Sequence, residues 1–409
     1  DKEAFRPEGW TLRSADENAI LRKMEENGVP LGEYVGGLHL DGSYSGGLYY
    51  GIKTGYNEAF FIDEATRNRL IQEDPRSAEL IKPLLVGKDV RRYGVRWPND
   101  PKTQYLIFTR RGVEIDDYPA IKRHLERFRE RLEPRPKGHV GPWPGRKPGN
   151  YQWYEIQDAV AYYHLLERAK IIYPDIAQEP RFYLDQKGFY IDATLFFIPT
   201  DDPYLLAVLN SRLVFGFLKR HLSVLGDPDE GGRLEFRAVH LQHLPIPHVP
   251  PKEKREEAPA GLLERSSEEV LAWAQEELAA GRRGAVAHLL GELALRIQED
   301  ERKRASLERE WRDWVEQRFE GAHRLGEEWM AGGWVQEAIQ GGTQAIAERF
   351  NAKKVKTTPR TLSELKKHTQ ETLEALQPLY HRVEATSQLI DRLVARLYGL
   401  SDEEAERLW

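Results

Sequence analysis

Hydrophobic and polar positions are spaced differently in the two parts of this chain. In the first, short patterns dominate. Ser14-Ala15-Asp16-Glu17 reads as a capping box ahead of Ile20, Leu21 and Met24 on one helical face, with Gly28 as the stop. Residues 34–62 are rich in Gly, Tyr and Leu and predict strands and tight turns, ending in Ala59-Phe60-Phe61-Ile62. Residues 63–86 predict two short helices broken at Asp74-Pro75, and residues 104–109 a strand. Pro119 opens a helix with an apolar stripe of Ile121, Leu125, Phe128 and Leu132, and Lys122, Arg123, Arg127, Arg129 and Arg131 mainly off that stripe. Residues 134–149 hold five Pro and four Gly, which makes them a loop. A helix at about 158–169 and a strand at Lys170–Tyr173 follow. Residues 181–198 predict a hairpin turning near Gln186-Lys187-Gly188, residues 203–221 an apolar helix, and residues 233–237 another strand. Leu244-Pro245-Ile246-Pro247 ends the region.

After about residue 250 the strand signals vanish, and Glu, Arg, Ala and Leu dominate. Residues 266–320 predict long polar helices, broken later at Gly332, Gly333, Gly341 and Gly342. From Leu362 a heptad-like stripe runs through Leu365, Thr369, Leu376, Leu379, Val383, Ile390, Leu393 and Leu397, with Pro378 expected to kink or split it. The expected architecture is α+β: a mixed strand-and-helix domain over 1–250, then a largely helical region over 251–409 with coiled-coil-like final helices. No internal repeat is evident.

Composition narrows the class. A chain of 409 residues, 40% hydrophobic and 31% charged, is long enough for more than one domain with a real core. The absence of Cys removes disulfides, thiolate nucleophiles, Cys-type zinc sites and iron–sulfur clusters together. No run approaches 18 apolar residues and no signal peptide is visible, so a cytoplasmic chain with no membrane partner is expected.

The net charge of −6 is unevenly distributed. Residues 1–80 carry 9 basic and 15 acidic side chains, residues 81–150 carry 17 and 8, and residues 251–330 carry 14 and 19. One strongly cationic window inside an acidic chain points to a polyanion partner, with a solvated basic helix face as the plainer alternative.

Motifs for common chemistries are missing. No GxGxxG follows a strand, and no phosphate-binding Gly-rich loop, GxSxG elbow or His-Glu-x-x-His occurs. His240, His243 and His248 lie in a Pro-rich segment without a regular helix and read as surface or packing residues. Pro174-Asp175 with Glu179 is similar to an acidic nuclease core, but Arg181 stands where a lysine is required. No Asn-Pro-Pro-Tyr methylation motif is present, so no catalytic residue and no cofactor site is expected in this chain.

Three stretches carry a more specific signal. They are Tyr50-Gly51-Ile52-Lys53-Thr54-Gly55-Tyr56-Asn57-Glu58-Ala59-Phe60-Phe61-Ile62-Asp63, then Ile81-Lys82-Pro83-Leu84-Leu85-Val86-Gly87-Lys88-Asp89-Val90-Arg91-Arg92-Tyr93, then Trp153-Tyr154-Glu155-Ile156 with Lys170-Ile171-Ile172-Tyr173-Pro174-Asp175-Ile176. In this order they resemble the TaqI-like C-terminal specificity domain, the target-recognition part of N6-adenine DNA methyltransferases and type IIG restriction–modification enzymes. Leu241-Gln242-His243-Leu244-Pro245-Ile246-Pro247 resembles the end of that domain, and Ile390-Asp391-Arg392-Leu393-Val394 with Leu397-Tyr398-Gly399-Leu400 the last helix of such proteins. The polar helices at 266–345 exceed what the resemblance leads one to expect.

The resemblance implies sequence-specific reading of double-stranded DNA, beside an upstream methyltransferase domain that would hold S-adenosylmethionine and methylate adenine. The candidate DNA-binding residues are Lys53, Thr54, Asn57, Lys88, Arg91, Arg92, Arg96, Arg110, Arg111, Arg146, Lys147, Arg233 and Arg237. Lys and Arg of 81–150 are expected to grip phosphates. Lys53-Thr54-Gly55-Tyr56-Asn57 either offers donors and acceptors to a base or is a turn in which Thr54 and Asn57 bond their own backbone. Arg91, Arg92 and Arg96, beside Tyr93 and Trp97, face either DNA or the carboxylates of Asp89 and Asp100. Tyr151, Trp153 and Tyr173 are expected in the core. The rival functions are a helical assembly protein and, further off, a self-contained nuclease.

Overall fold

The strand Lys170–Pro174 is buried along its whole length, as its unbroken apolar run after Lys170 requires. It pairs antiparallel with Tyr183–Asp185 on one side and Leu195–Ile198 on the other, and Tyr49–Tyr50 closes this four-stranded sheet. A second four-stranded sheet runs in the order Tyr190–Ile191, Ile81–Leu85, Tyr105–Ile107, Phe61–Ile62. This computed structural model describes residues 15–36, 47–96, 104–226 and 232–409. Ser14 of the predicted capping box, residues 37–46 of the predicted strands, and Trp97, Asp100 and Gly231 lie outside the described residues. The chain divides into one compact unit of Asp1–Glu292 with Ile390–Trp409, and a second of Leu293–Leu389.

The predicted hairpin over 181–198 is not one hairpin. Asp185 faces Lys170 across the first sheet, and its carboxylate meets the Lys170 ammonium at 2.5 Å with both side chains fully buried. The same carboxylate accepts from the backbone N–H groups of Lys187 and Phe189. That network turns the chain out of the first sheet, and Tyr190–Ile191 joins the second, parallel to Leu84–Leu85. Leu195–Ile198 then returns to the first sheet.

Helices cover the second sheet. Glu64–Glu73 starts at Asp63, whose side chain accepts from the Thr66 N–H. It ends at Asp74, and Ser77–Leu80 follows, as the Asp74-Pro75 break predicts, but the second helix expected up to residue 86 stops at Leu80 and Ile81–Leu85 is a strand. Pro119–Glu126 buries Ala120, Ile121, His124 and Leu125. The single helix expected through Leu132 is interrupted where the Phe128 backbone leaves the helical region, and Arg129–Leu132 forms a separate turn. The predicted helix over 203–221 is likewise two, Pro203–Leu209 and Arg212–His221. Asn210 between them exchanges two hydrogen bonds with the Phe182 backbone, and Ser211 caps the second helix.

The two final motifs close the first unit. Pro245–Pro247 pairs with Gly28–Pro30. Asp391 accepts from the Arg212 N–H at 2.8 Å, and the Tyr398 hydroxyl donates to the Pro245 carbonyl.

The second unit is helical, and its core is aromatic. Trp311 stacks on Trp334 with centroids 4.0 Å apart, among Phe319, Trp329 and Phe350. The Trp311 indole N–H donates to Thr369, which explains a threonine on the apolar stripe. Buried Asp300 takes a two-pronged contact from Arg382. The helix Pro359–Leu397 runs unbroken through Pro378, so the predicted split does not occur.

Candidate nucleic-acid interface

The first of the three sequence stretches passes between the two sheets. Gly51 N–H donates to Leu195 O of the first sheet, and Ile52 N–H to Ile191 O of the second, each at 2.8 Å. A Cβ at Gly51 would stand 1.9 Å from the Asp192 carbonyl oxygen, so only glycine allows this crossing.

Residues 53–57 turn immediately afterwards. Thr54 is fully buried; its hydroxyl accepts from the Tyr56 N–H at 3.2 Å and donates to Asn57 Oδ1 at 2.6 Å. The Lys53 carbonyl accepts from the Asp158 N–H, and the Thr54 carbonyl from the Gln157 N–H and the Arg146 guanidinium. Gly55 has φ +83°, and a Cβ there would come within 2.6 Å of Arg146 Cδ. The turn reading holds for Thr54, whose hydroxyl bonds the local backbone. Thr54 braces the backbone, while the exposed Asn57 keeps an amide NH2 with no protein partner among the described residues.

This turn forms one wall of a cleft of about 580 Å³; Gln157 and Asp192-Ala193-Thr194 form the other. Lys53, Asn57 and Thr194 are exposed at its rim. Asp192 is buried beneath, and burial raises its carboxyl above the usual range, partly offset by bonds from the Thr194 hydroxyl and N–H. Nearby Asp175 is also raised by burial, while the charges of Arg237 and Lys53 pull it back and Glu235 pushes it further up. The fold therefore brings Lys53 and Arg237, distant in sequence, around one carboxylate. The cleft presents ammonium and amide donors beside a hydroxyl, an array suited to the hydrogen-bonding edge of a base.

The remaining expected cations divide by what their guanidinium or ammonium groups touch. Arg146 is 4% exposed and donates to the carbonyls of Leu132, Thr54, Glu155, Gln152 and Trp153. Burial lowers it to about 10, so it stays charged at neutral pH, inside the protein. Arg92 donates twice to the Asn210 carbonyl, and Arg111 to the carbonyls of Ile156 and Gln157. Arg91 donates to the Lys88 and Val90 carbonyls; burial, then the like charges of Arg96 and Arg181, lower it to about 10. Arg110 stacks on Tyr163 at 4.9 Å. Lys88, Lys147, Arg233 and Arg237 are exposed, Arg237 pairing with Glu235 at 2.7 Å. Tyr151, Trp153 and Tyr173 are buried, as expected.

Sequence reasoning missed Gln157 and Thr194. Asp192-Ala193-Thr194 carries a local turn signal, but its place beside Asn57 depends on the bridge between Ile52 and Asp192, which no local pattern reveals. Among the described residues, no group of three or more His, Asp or Glu is placed to hold a metal, and no helix is long and apolar enough to cross a membrane.

The chain is similar to several known proteins. The chain is 26% identical over 258 residues to the type II methyltransferase M.PaeR7I of Pseudomonas aeruginosa, covering 62% of this chain and 40% of the relative. It is 26% identical over 266 residues to the type II methyltransferase M.XhoI of Xanthomonas vasicola, covering 64% of this chain and 44% of the relative. The chain thus spans less than half the length of these relatives. Two solved structures are similar at 12% identity. One is the type IIL restriction-modification enzyme MmeI in complex with DNA, with a TM-score of 0.37 over 81% of this chain and 35% of that one. The other is the type IIG restriction endonuclease BpuSI, with a TM-score of 0.34 over 70% and 34%. Residues 82–246, which include the Gln157 and Asp192–Thr194 wall of the cleft, match the family model of the TaqI-like C-terminal specificity domain, and the chain carries that domain.

Proposed function

We propose that this chain reads a specific duplex DNA sequence, as the target-recognition part of a type II restriction–modification enzyme. A methyltransferase domain beside it would hold S-adenosylmethionine and modify adenine. One observation carries the reading: the matched specificity domain supplies a wall of the same cleft whose other wall presents Lys53 and Asn57. In this reading the Asn57 amide and Lys53 meet base edges, and exposed cations around them meet phosphates.

The test is selection of bound sequences from a random duplex pool by the wild-type chain and by Asn57→Ala. A base-reading amide contributes to one sequence and not to others, whereas a phosphate ligand contributes to all. Loss of preference at one position, with binding to the selected site weakened by about 1–3 kcal/mol and non-specific binding unchanged, is the expected result. If Asn57 only braces the turn, the melting temperature falls and both kinds of binding weaken together. An unchanged preferred sequence removes this turn from the reading surface.

A further inference from the structure

The Pro- and Gly-rich loop after Leu132 is an ordered finger. At its base Arg135 N–H donates to the Arg146 carbonyl, Arg146 N–H to Glu133, and the Trp143 indole N–H to Glu133. Further out, His139 N–H donates to the Pro136 carbonyl, and the His139 ring lies edge-on to Trp143 at 5.1 Å, in hydrogen-bond contact with the Pro142 carbonyl. The buried Arg146 guanidinium fastens the base to the body of the unit.

This scaffold holds one apolar side chain in water. Val140 sits between left-handed Gly138 and Gly141 and is 93% exposed, far more than any other large apolar side chain among the described residues. No Asp or Glu occurs between Glu133 and Glu155. Arg135, Lys137 and Lys147 are exposed and make no ion pair among the described residues.

An isolated apolar tip contributes nothing to folding, yet the loop is braced so that the tip stays out. Bracing lowers the ordering cost of docking. Cations without carboxylates suit phosphates, and an apolar tip suits base edges or the thymine methyl group within a groove. A protein surface without carboxylates would explain the tip but not the three unpaired cations of the same loop. We infer that the finger enters a groove of duplex DNA, with Val140 against the bases and Arg135, Lys137 and Lys147 along the flanking phosphates. This rests on the DNA-reading function proposed above.

The chain contains no cysteine, so Val140→Cys creates a single thiol for a photo-crosslinker, and Ile339→Cys, 44% exposed in the second unit, gives a control. The probe is the duplex selected by the wild-type chain from a random pool. Crosslinking to bases inside the bound site from position 140 and not from 339 is expected. Val140→Asp should weaken duplex binding about tenfold or more, with an unchanged melting temperature because the tip packs on nothing. Duplex binding without crosslinking at 140, and with Val140→Asp as tight as wild type, would overturn the finger and leave the function standing. Crosslinking to a second protein copy would overturn it in favour of a protein contact. If no variant binds any duplex, the function and the finger fall together.

Discussion

Arg146 separates a charge from its use. In sequence it sits in a cationic window, in a loop where Pro and Gly leave no periodicity to say which way a side chain points. In the fold it donates to five carbonyls from three separate segments: the 53–57 turn, the end of the 129–132 turn and the 152–155 loop. A lysine has no planar fork and satisfies only part of this set. Arg146→Lys should therefore lower stability by roughly 3 kcal/mol, read as a lower urea midpoint, because buried carbonyls lose their donors. The salt dependence of DNA binding should stay the same. The opposite pattern, intact stability with a shallower salt slope, would put this guanidinium on phosphate. Lys53 and Asn57 were legible because a Gly-centred turn with polar neighbours exposes what it carries. Thr194 was not, because its neighbours come from a segment more than 130 residues earlier.

At the scale of elements, local patterns located most of the secondary structure and failed where side chains redirected the chain. The exit of the chain from the first sheet towards 190–191 and the break at Asn210-Ser211 go with the bonds of Asp185 and of Asn210. Nothing in the apolar runs around them announces those bonds. Conversely, the long stripe from Leu362 was legible in its facing, and its Thr369 is explained by an indole donor. Pro378 is the exception within it. A proline inside a helix lacks a donor and crowds the preceding turn, yet Pro359–Leu397 is continuous. Pro378→Ala should raise stability by up to about 3 kcal/mol, measured by urea unfolding. No gain would mean that the neighbouring helices already accommodate the ring.

At the scale of the molecule, the +9 window does not act as one patch. Arg92, Arg111 and Arg146 serve backbone carbonyls, whereas Arg135, Lys137 and Lys147 are exposed. Charge should therefore sort into two behaviours. Reversal of Arg135, Lys137 or Lys147 to Glu should weaken binding to every duplex and make the log–log salt slope shallower by about 0.9 for each phosphate that is no longer neutralised. Arg92→Glu should act first on thermal stability, since it places a carboxylate against the Asn210 carbonyl. Affinity at low salt that ignores all three exposed reversals would place the DNA on another face.

The division of the chain also has a consequence for its synthesis. Residues Ile390–Trp409 belong to the first unit but are made after Leu293–Leu389. Until they emerge from the ribosome, the Arg212 N–H has no Asp391 beneath it, and Gly216 lacks the Leu408 backbone that lies against it. Ile390, Leu393, Val394, Tyr398 and Leu408, all buried in the finished protein, are still missing from that core. At the usual pace of translation, about 5–20 residues per second, the nascent first unit waits roughly 5–20 s with this apolar face uncovered. Leu293–Leu389 is synthesised during that interval, so of the two units the one begun earlier is completed later.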